Sequence, residues 1–271
     1  MRLKGKQAFI TGSSRGIGKG IALKLAREGA TVAVHYHRNH EAAADALAEV
    51  RELGSDGVIV QGDVTSVDDL RRMFAELRDT FRTLDIFVSN ARGELATFYE
   101  PPLEITLDKW AMAFDSQARA FLIGVKEAAS LMASGGRILA ITYAPGGRTG
   151  SWQPWIAMGS AKAALESACR YFAVALAPRG ITVNAISPGL TEDSMLNSLP
   201  FAAVQVARDW HQRWTPMGRL GTPADIGNVV ALLCADEAAW ITGQVISADG
   251  GASLMDTVLP LEIQQPQAAN V

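Results

Sequence analysis

The sequence predicts a single doubly wound α/β domain, a seven-stranded parallel sheet flanked by helices. Three observations lead there. Short apolar runs alternate with helix-length segments along almost the whole chain. Those runs are near-continuously apolar, as parallel strands covered on both faces require. The first run also leads directly into a glycine-rich turn, Thr11-Gly12-Ser13-Ser14-Arg15-Gly16-Ile17-Gly18, that opens a helix-patterned stretch.

Taken in order, the first strand is expected at Ala8–Thr11, before the helical pattern Ile21-Ala22-Leu23-Lys24-Leu25-Ala26. The second, Thr31–Tyr36, precedes a helix at Glu41–Leu53, and the third, Gly57–Gln61, precedes one at Val67–Phe81. A fourth strand at Leu84–Ser89 is followed by a long helical pattern, Asp108–Ala133. The fifth, Arg137–Thr142, leads to a helix at Ala157–Ala177, and the sixth is Ile181–Ile186. A helix at Pro223–Ala235 then returns the chain to a seventh strand, Gln244–Ser247. Two regions break this rhythm. Leu190–Gly221 is an insertion carrying Met195, Leu196, Leu199, Phe201, Trp210 and Trp214, and Pro260–Val271 is a Pro/Gln/Ala tail. The domain is therefore read as residues 1–259, followed by a tail over 260–271.

Composition narrows the class. A chain of 271 residues without an internal linker can bury one large core. The net charge of −3 is dispersed, which gives no footprint for nucleic acid. Two cysteines, Cys169 and Cys234, lie far apart in apolar helical runs and read as free thiols in a reducing cytosol. The segment Met1-Arg2-Leu3-Lys4-Gly5-Lys6 lacks the apolar core of a signal, and no apolar stretch is long enough to span a bilayer. A soluble cytoplasmic protein that binds neither membrane nor nucleic acid is expected. His35, His37 and His40 have no cysteines or carboxylates clustered with them, so no metal site is expected.

The glycine turn carries the chemistry. Its three glycines let the backbone turn tightly and let a pyrophosphate approach without meeting a Cβ. The helix that follows offers unpaired N–H groups and the positive end of its dipole. A dinucleotide site is the expected result.

With further motifs in order, the chain resembles the short-chain dehydrogenase/reductase family, a Rossmann-type fold, over residues 5–255. The turn is similar to the family's TGxxxGIG. Asp63-Val64 resembles the pair that holds the adenine ring, and Ser89-Asn90-Ala91 resembles the Asn-Asn-Ala-Gly at the end of strand four. Asn184 through Pro188-Gly189 resembles the segment bordering the nicotinamide, with Thr191 set to reach the carboxamide. Ile241-Thr242-Gly243-Gln244 and Asp249-Gly250-Gly251 resemble the C-terminal signature. An NAD site would carry an acid near the end of strand two; here that end reads His35-Tyr36-His37-Arg38-Asn39, with no acid before Glu41. Arg15 and Arg38, beside His37, would match a 2′-phosphate, so NADPH is expected over NADH.

The catalytic pattern departs from the family. Lys162 resembles its helix-borne lysine, but the position four residues earlier, where the family has its tyrosine, is Met158. The enoyl-acyl-carrier-protein reductase branch spaces that tyrosine seven residues before the lysine; here that position is Trp155. A continuous helix would set Trp155 on nearly the same face as Lys162. An indole donates a hydrogen bond but is no proton donor. Tyr143 ends strand five where the ordinary family has its serine, and the enoyl reductase branch commonly has a tyrosine there. The segment Ala157–Glu166 and Arg170-Tyr171-Phe172-Ala173 also resemble that branch, in the variety that keeps the ordinary turn. Gln117 takes the place of a helix-four Asn, and Arg92 that of the last Gly of Asn-Asn-Ala-Gly, where it either recognises an anion or reaches for solvent.

The resemblance implies an NADPH-dependent reductase acting on an enoyl or carbonyl group, with Tyr143, Lys162 and Trp155 at the reacting centre. The insertion 190–221 would cover an apolar acyl or polyketide-like substrate, free or carrier-bound, with Trp152 and Trp155 narrowing the pocket. The family also implies a homotetramer or homodimer. The alternative is an NADP(H)-binding relative without redox activity, serving as a non-redox enzyme or a regulatory or scaffold partner.

Overall fold

The structure, a computed structural model, describes residues 1–93, 100–143, 153–192 and 201–255. Trp152, residues 193–200 of the insertion and the tail lie outside the described residues. Seven parallel strands stand in the order β3-β2-β1-β4-β5-β6-β7. They are β1 (Gln7–Ile10), β2 (Thr31–Tyr36), β3 (Gly57–Gln61), β4 (Ile86–Ser89), β5 (Arg137–Ile141), β6 (Thr182–Pro188) and β7 (Val245–Ala248). The order reverses between β1 and β4, and ligands of such sheets bind outside the strand C-termini at that switch.

Alternation along each strand feeds two cores. Ala8 and Ile10, Val32 and Val34, and Ile86 and Val88 face α1 (Gly16–Arg27), α2 (His40–Glu52) and the helix Pro223–Cys234. Phe9, Ala33 and Phe87 face the opposite side, against α3 (Val67–Phe81), α5 (Ala120–Leu131) and α6 (Ile156–Leu176). There the rings of Phe9, Phe74 and Phe87 form a triangle with centroid separations of 5.4–5.9 Å. Each such buried side chain is worth about 1.5–3 kcal/mol relative to exposure, so the triangle anchors β1 to β4 beneath the switch.

The long pattern expected over Asp108–Ala133 is not one α-helix. It divides into α4 (Leu107–Phe114) and α5, joined by a π-helical turn at Asp115–Arg119. The turn rotates the two halves relative to each other and points Gln117 into the protein, a local widening that often accompanies functional sites. The fourth strand starts at Ile86 rather than Leu84, because the Leu84 N–H is spent on Leu131. Within the insertion the chain forms α7 (Phe201–Trp214), followed by α8 (Pro223–Cys234). Thr222 and Asp225 close a capping box at the start of α8, with Pro223 at a position that needs no N–H. No helix among the described residues is long and apolar enough to cross a membrane.

Candidate active site

The β1 turn is held by side chains from neighbouring strands. Thr11 Oγ1 accepts the N–H groups of Asn90 at 2.9 Å and Ala91 at 3.0 Å and donates to Val88 O at 3.4 Å. The Asn90 amide donates back to the carbonyls of Thr11 at 2.9 Å and Gly12 at 3.1 Å. Ser13 Oγ donates to Ile10 O at 2.8 Å. The glycines are forced by this closeness. Gly12 has φ +68°, and a Cβ on Gly18 would lie 2.2 Å from Gly12 O. Arg15 is extended, and α1 begins at Gly16 with no acidic residue in its first turn. The N–H groups of Gly16, Ile17 and Gly18 thus head a helix whose positive end carries no compensating carboxylate. These donors, beside Ser14, fit a pyrophosphate.

The end of β2 presents His37, Arg38 and Asn39, all exposed, and Asn39 caps α2 by accepting the Ala42 N–H. Arg15 is exposed as well. His37 lies 3.7 Å from the Asp63 carboxylate, whose other oxygen accepts the N–H and hydroxyl of Thr65. Asp63 therefore shapes the loop after β3 while keeping one oxygen toward His37. The Val64 side chain packs into the core, which leaves its backbone as what it can offer a ligand. His35 is buried and bonded to protein groups through both ring nitrogens.

On the far side of the switch, Asn184 pins β6 to β7, donating to Ile241 O at 2.8 Å and accepting the Gln244 N–H at 3.0 Å. Pro188 ends β6, and the Gly189 N–H donates to Ala248 O. Thr191, buried, pairs with Gly221 in an isolated parallel bridge that closes the base of the insertion. Asp249 accepts the N–H groups of Gly251 and Ser253 and fixes the C-terminal signature as a turn.

Three catalytic candidates gather at the end of β5. Lys162, buried on α6, donates to Ile141 O at 2.5 Å. Burial, with the Arg92 charge adding to it, brings its pKa down to about 7. Thr142 Oγ1 donates to Glu166 Oε1 at 2.5 Å, one helical turn beyond Lys162. Tyr143 meets Trp155 edge to face, centroids 6.0 Å apart, against a cluster of Ala113, Ala157, Met158 and Ala161. Burial raises the Tyr143 pKa above its usual 10.0, so the phenol stays protonated at neutral pH. Trp155 does not sit within an α-helix, as the seven-residue spacing assumed. It ends a 3-10 turn, Gln153–Trp155, and forms the N-cap of α6.

Several further side chains shape the surroundings of the site. Gln117 donates from its amide to Ala91 O at 3.3 Å and so braces the loop after β4. Glu166 belonged only to a resemblance, yet it takes the Thr142 hydroxyl. Arg92 folds back toward its own loop, donating to Gly93 O. In the insertion, Trp210 and Trp214 stack on each other at 5.0 Å rather than both presenting open faces.

The sequence matches the family described as Enoyl-(Acyl carrier protein) reductase over residues 12–253. It is 36% identical to a hydroxynaphthalene reductase-like protein, Arp2, of Metarhizium majus, covering 92% of this chain and 96% of that one. It is also 36% identical to a 1-cyclohexenylcarbonyl-CoA reductase of Streptomyces collinus, covering 92% of this chain and 87% of the relative. Among solved structures, an angucycline C-6 ketoreductase, LanV, with bound NADP superposes with a TM-score of 0.84 at 34% identity, covering 94% of this chain and 98% of that one.

Proposed function

Since the chain belongs to the short-chain dehydrogenase/reductase family, we propose that it is an NADPH-dependent reductase of an enoyl or carbonyl group on an apolar, acyl or polyketide-like substrate. The observation that carries this reading is the convergence at the C-terminal ends of β1, β4 and β5. There a phosphate-ready turn stands beside a buried amine and a protonated phenol. The names of the relatives, reductases of hydroxynaphthalene and cyclohexenylcarbonyl type, support an apolar substrate. The neighbour with bound NADP supports the cofactor.

The turn residues Gly12, Ser13, Ser14, Gly16, Ile17 and Gly18 would hold the pyrophosphate, and Arg15, His37 and Arg38 the 2′-phosphate. Asp63 and Val64 would flank adenine, Asn90 and Ala91 the central ribose region, and Pro188, Gly189 and Thr191 the nicotinamide end. Bound there, NADPH supplies hydride. Tyr143 donates a hydrogen bond, and then its proton, to the substrate oxygen that gains charge. Lys162 holds the ribose, and its nearness to neutrality lets it switch charge without leaving its bond to β5. Trp155 walls the pocket. Residues 1–259 are read as the working unit, with 190–221 over the substrate. Exposed Leu122, Tyr171 and Val174 on α5 and α6 support a homotetramer or homodimer through those faces.

The test is a fluorescence titration with NADPH and NADH, followed by NADPH oxidation over enoyl thioesters and cyclic ketones. Tight NADPH binding with substrate-dependent oxidation is expected. Binding without turnover on any member of the panel would sink the redox reading.

A further inference from the structure

His35 is bonded through both ring nitrogens beside the cofactor turn, yet nothing in the proposed mechanism uses it. It lies on β2 beside the C-terminal end of β1, fully inside the protein, with its ring edge against Phe9 at a centroid distance of 6.1 Å. Its Nδ1 accepts the Gly12 N–H at 2.8 Å, and its Nε2 lies 3.1 Å from Gly62 O. The backbone of the same residue is paired with the turn as well. The His35 N–H donates to Ser13 Oγ at 2.9 Å, and the Ser13 N–H donates to His35 O at 3.0 Å.

These partners fix the tautomer. A backbone N–H can only donate and a backbone carbonyl can only accept, so Nδ1 is bare and Nε2 carries the hydrogen. The ring is therefore neutral and acts as a strut with two different ends. One end holds Gly12, in the turn that would take the pyrophosphate. The other holds Gly62, the residue before Asp63-Val64, in the loop that would flank adenine. The groups it spans are 23 and 27 residues away in sequence and belong to different strand ends.

We propose that His35 is a positioning residue for the dinucleotide, setting the spacing between its pyrophosphate and adenine sites without touching it. The proposal rests on the cofactor reading above and adds a residue to it. A protonated ring would aim an N–H at the Gly12 N–H and break the strut at that end. Burial prevents this at neutral pH by holding the His35 pKa at about 4. The titratable groups facing it are His37 just past the end of β2, Asp63 on the loop after β3 and Asp69 on α3. On the β1 side lie Phe9, the Ser13 hydroxyl and the turn backbone.

The experiment measures NADP+ affinity, kcat at saturating NADPH and the thermal melt of the full chain and two variants. His35→Phe keeps a ring against Phe9 but gives Gly12 no acceptor. His35→Asn has a shorter amide that can still accept from Gly12. The expected result is a roughly tenfold or larger rise in Kd for His35→Phe, with His35→Asn within about threefold of native. Turnover at saturating cofactor should stay within about twofold for both, since the reacting groups sit at the end of β5. Native-like affinity in a folded His35→Phe protein, or equal weakening in both variants, overturns the proposal.

An acid titration keeps it testable should His35→Phe fail to fold. As pH falls from 5 through about 4, where the ring takes its proton, the native Kd for NADP+ should rise more steeply than that of His35→Asn, which has no ring to protonate. Superimposable profiles overturn the proposal. Failure of the native protein to bind NADP+ at any pH overturns the cofactor reading itself, and this one with it.

Discussion

Lys162 is tied by a 2.5 Å hydrogen bond to the carbonyl of Ile141, two residues before Tyr143 on the same strand end. The amine is thus committed to β5 rather than standing free in the cleft. Its pKa of about 7 lies below the ordinary lysine value of 10.5, so the unfolded chain binds more protons between those two values. Stability should therefore rise with pH across that window, and the cost of burying the charge should be fully present below about pH 7. Cofactor-free protein should gain melting temperature between pH 7 and 9 relative to Lys162→Met. A constant difference between the two would show that the amine does not titrate there.

Tyr143→Phe removes only a hydroxyl from a side chain already packed against Trp155. We expect kcat to fall by roughly a hundredfold with NADPH affinity unchanged, because general acid catalysis is worth about that much. The melt should barely move. Turnover near the native rate would remove Tyr143 from the chemistry. Burial raises its pKa, so the native rate should also show no loss from phenol ionisation as pH climbs toward 10.0.

Cofactor choice should respond to the two exposed guanidinium groups. Replacing Arg15 and Arg38 together by serine should reduce the preference for NADPH over NADH by about tenfold. Solvent screening keeps the expected effect modest. Ratios of Kd for the two cofactors give the answer, and an unchanged ratio would place the 2′-phosphate elsewhere.

Thr11→Val keeps the shape of a buried side chain but removes the acceptor shared by the Asn90 and Ala91 N–H groups. Leaving them unpaired should cost about 1–3 kcal/mol, read as a lower urea midpoint at constant slope. Thr11→Ser should recover most of it. Equal midpoints for Thr11→Val and the native protein would mean that water replaces the hydroxyl.

The strands were legible because both faces of the sheet are covered, which writes each strand as an apolar run such as Thr31–Tyr36. The glycine turn was legible because its glycines fall at fixed spacing within one short segment, although the atoms that crowd Gly12 and part of those that crowd Gly18 come from Ala91 and Asn90 across the seam. The π-turn at Asp115–Arg119 was not, since one extra residue per turn leaves no compositional trace in Asp-Ser-Gln-Ala-Arg. Trp155 lies just before the true start of α6, where a spacing of 3.6 residues per turn no longer holds. His35 escaped because its meaning lies in Gly12 and Gly62, distant in sequence and themselves chemically plain. Local pattern reveals what a residue is near along the chain; these roles depend on what the sheet brings alongside.

The clasp of Thr11 and Asn90 across the β1–β4 seam also bears on the thermodynamics of ligand capture. Every bond in it is internal to the protein, so the phosphate turn is already shaped before any nucleotide arrives. Little conformational entropy then remains to be lost at that end on association, and the binding free energy is spent on the ligand's own contacts. Calorimetry of NADPH binding should accordingly show a heat-capacity change set by the surface covered, without the excess that accompanies coupled folding.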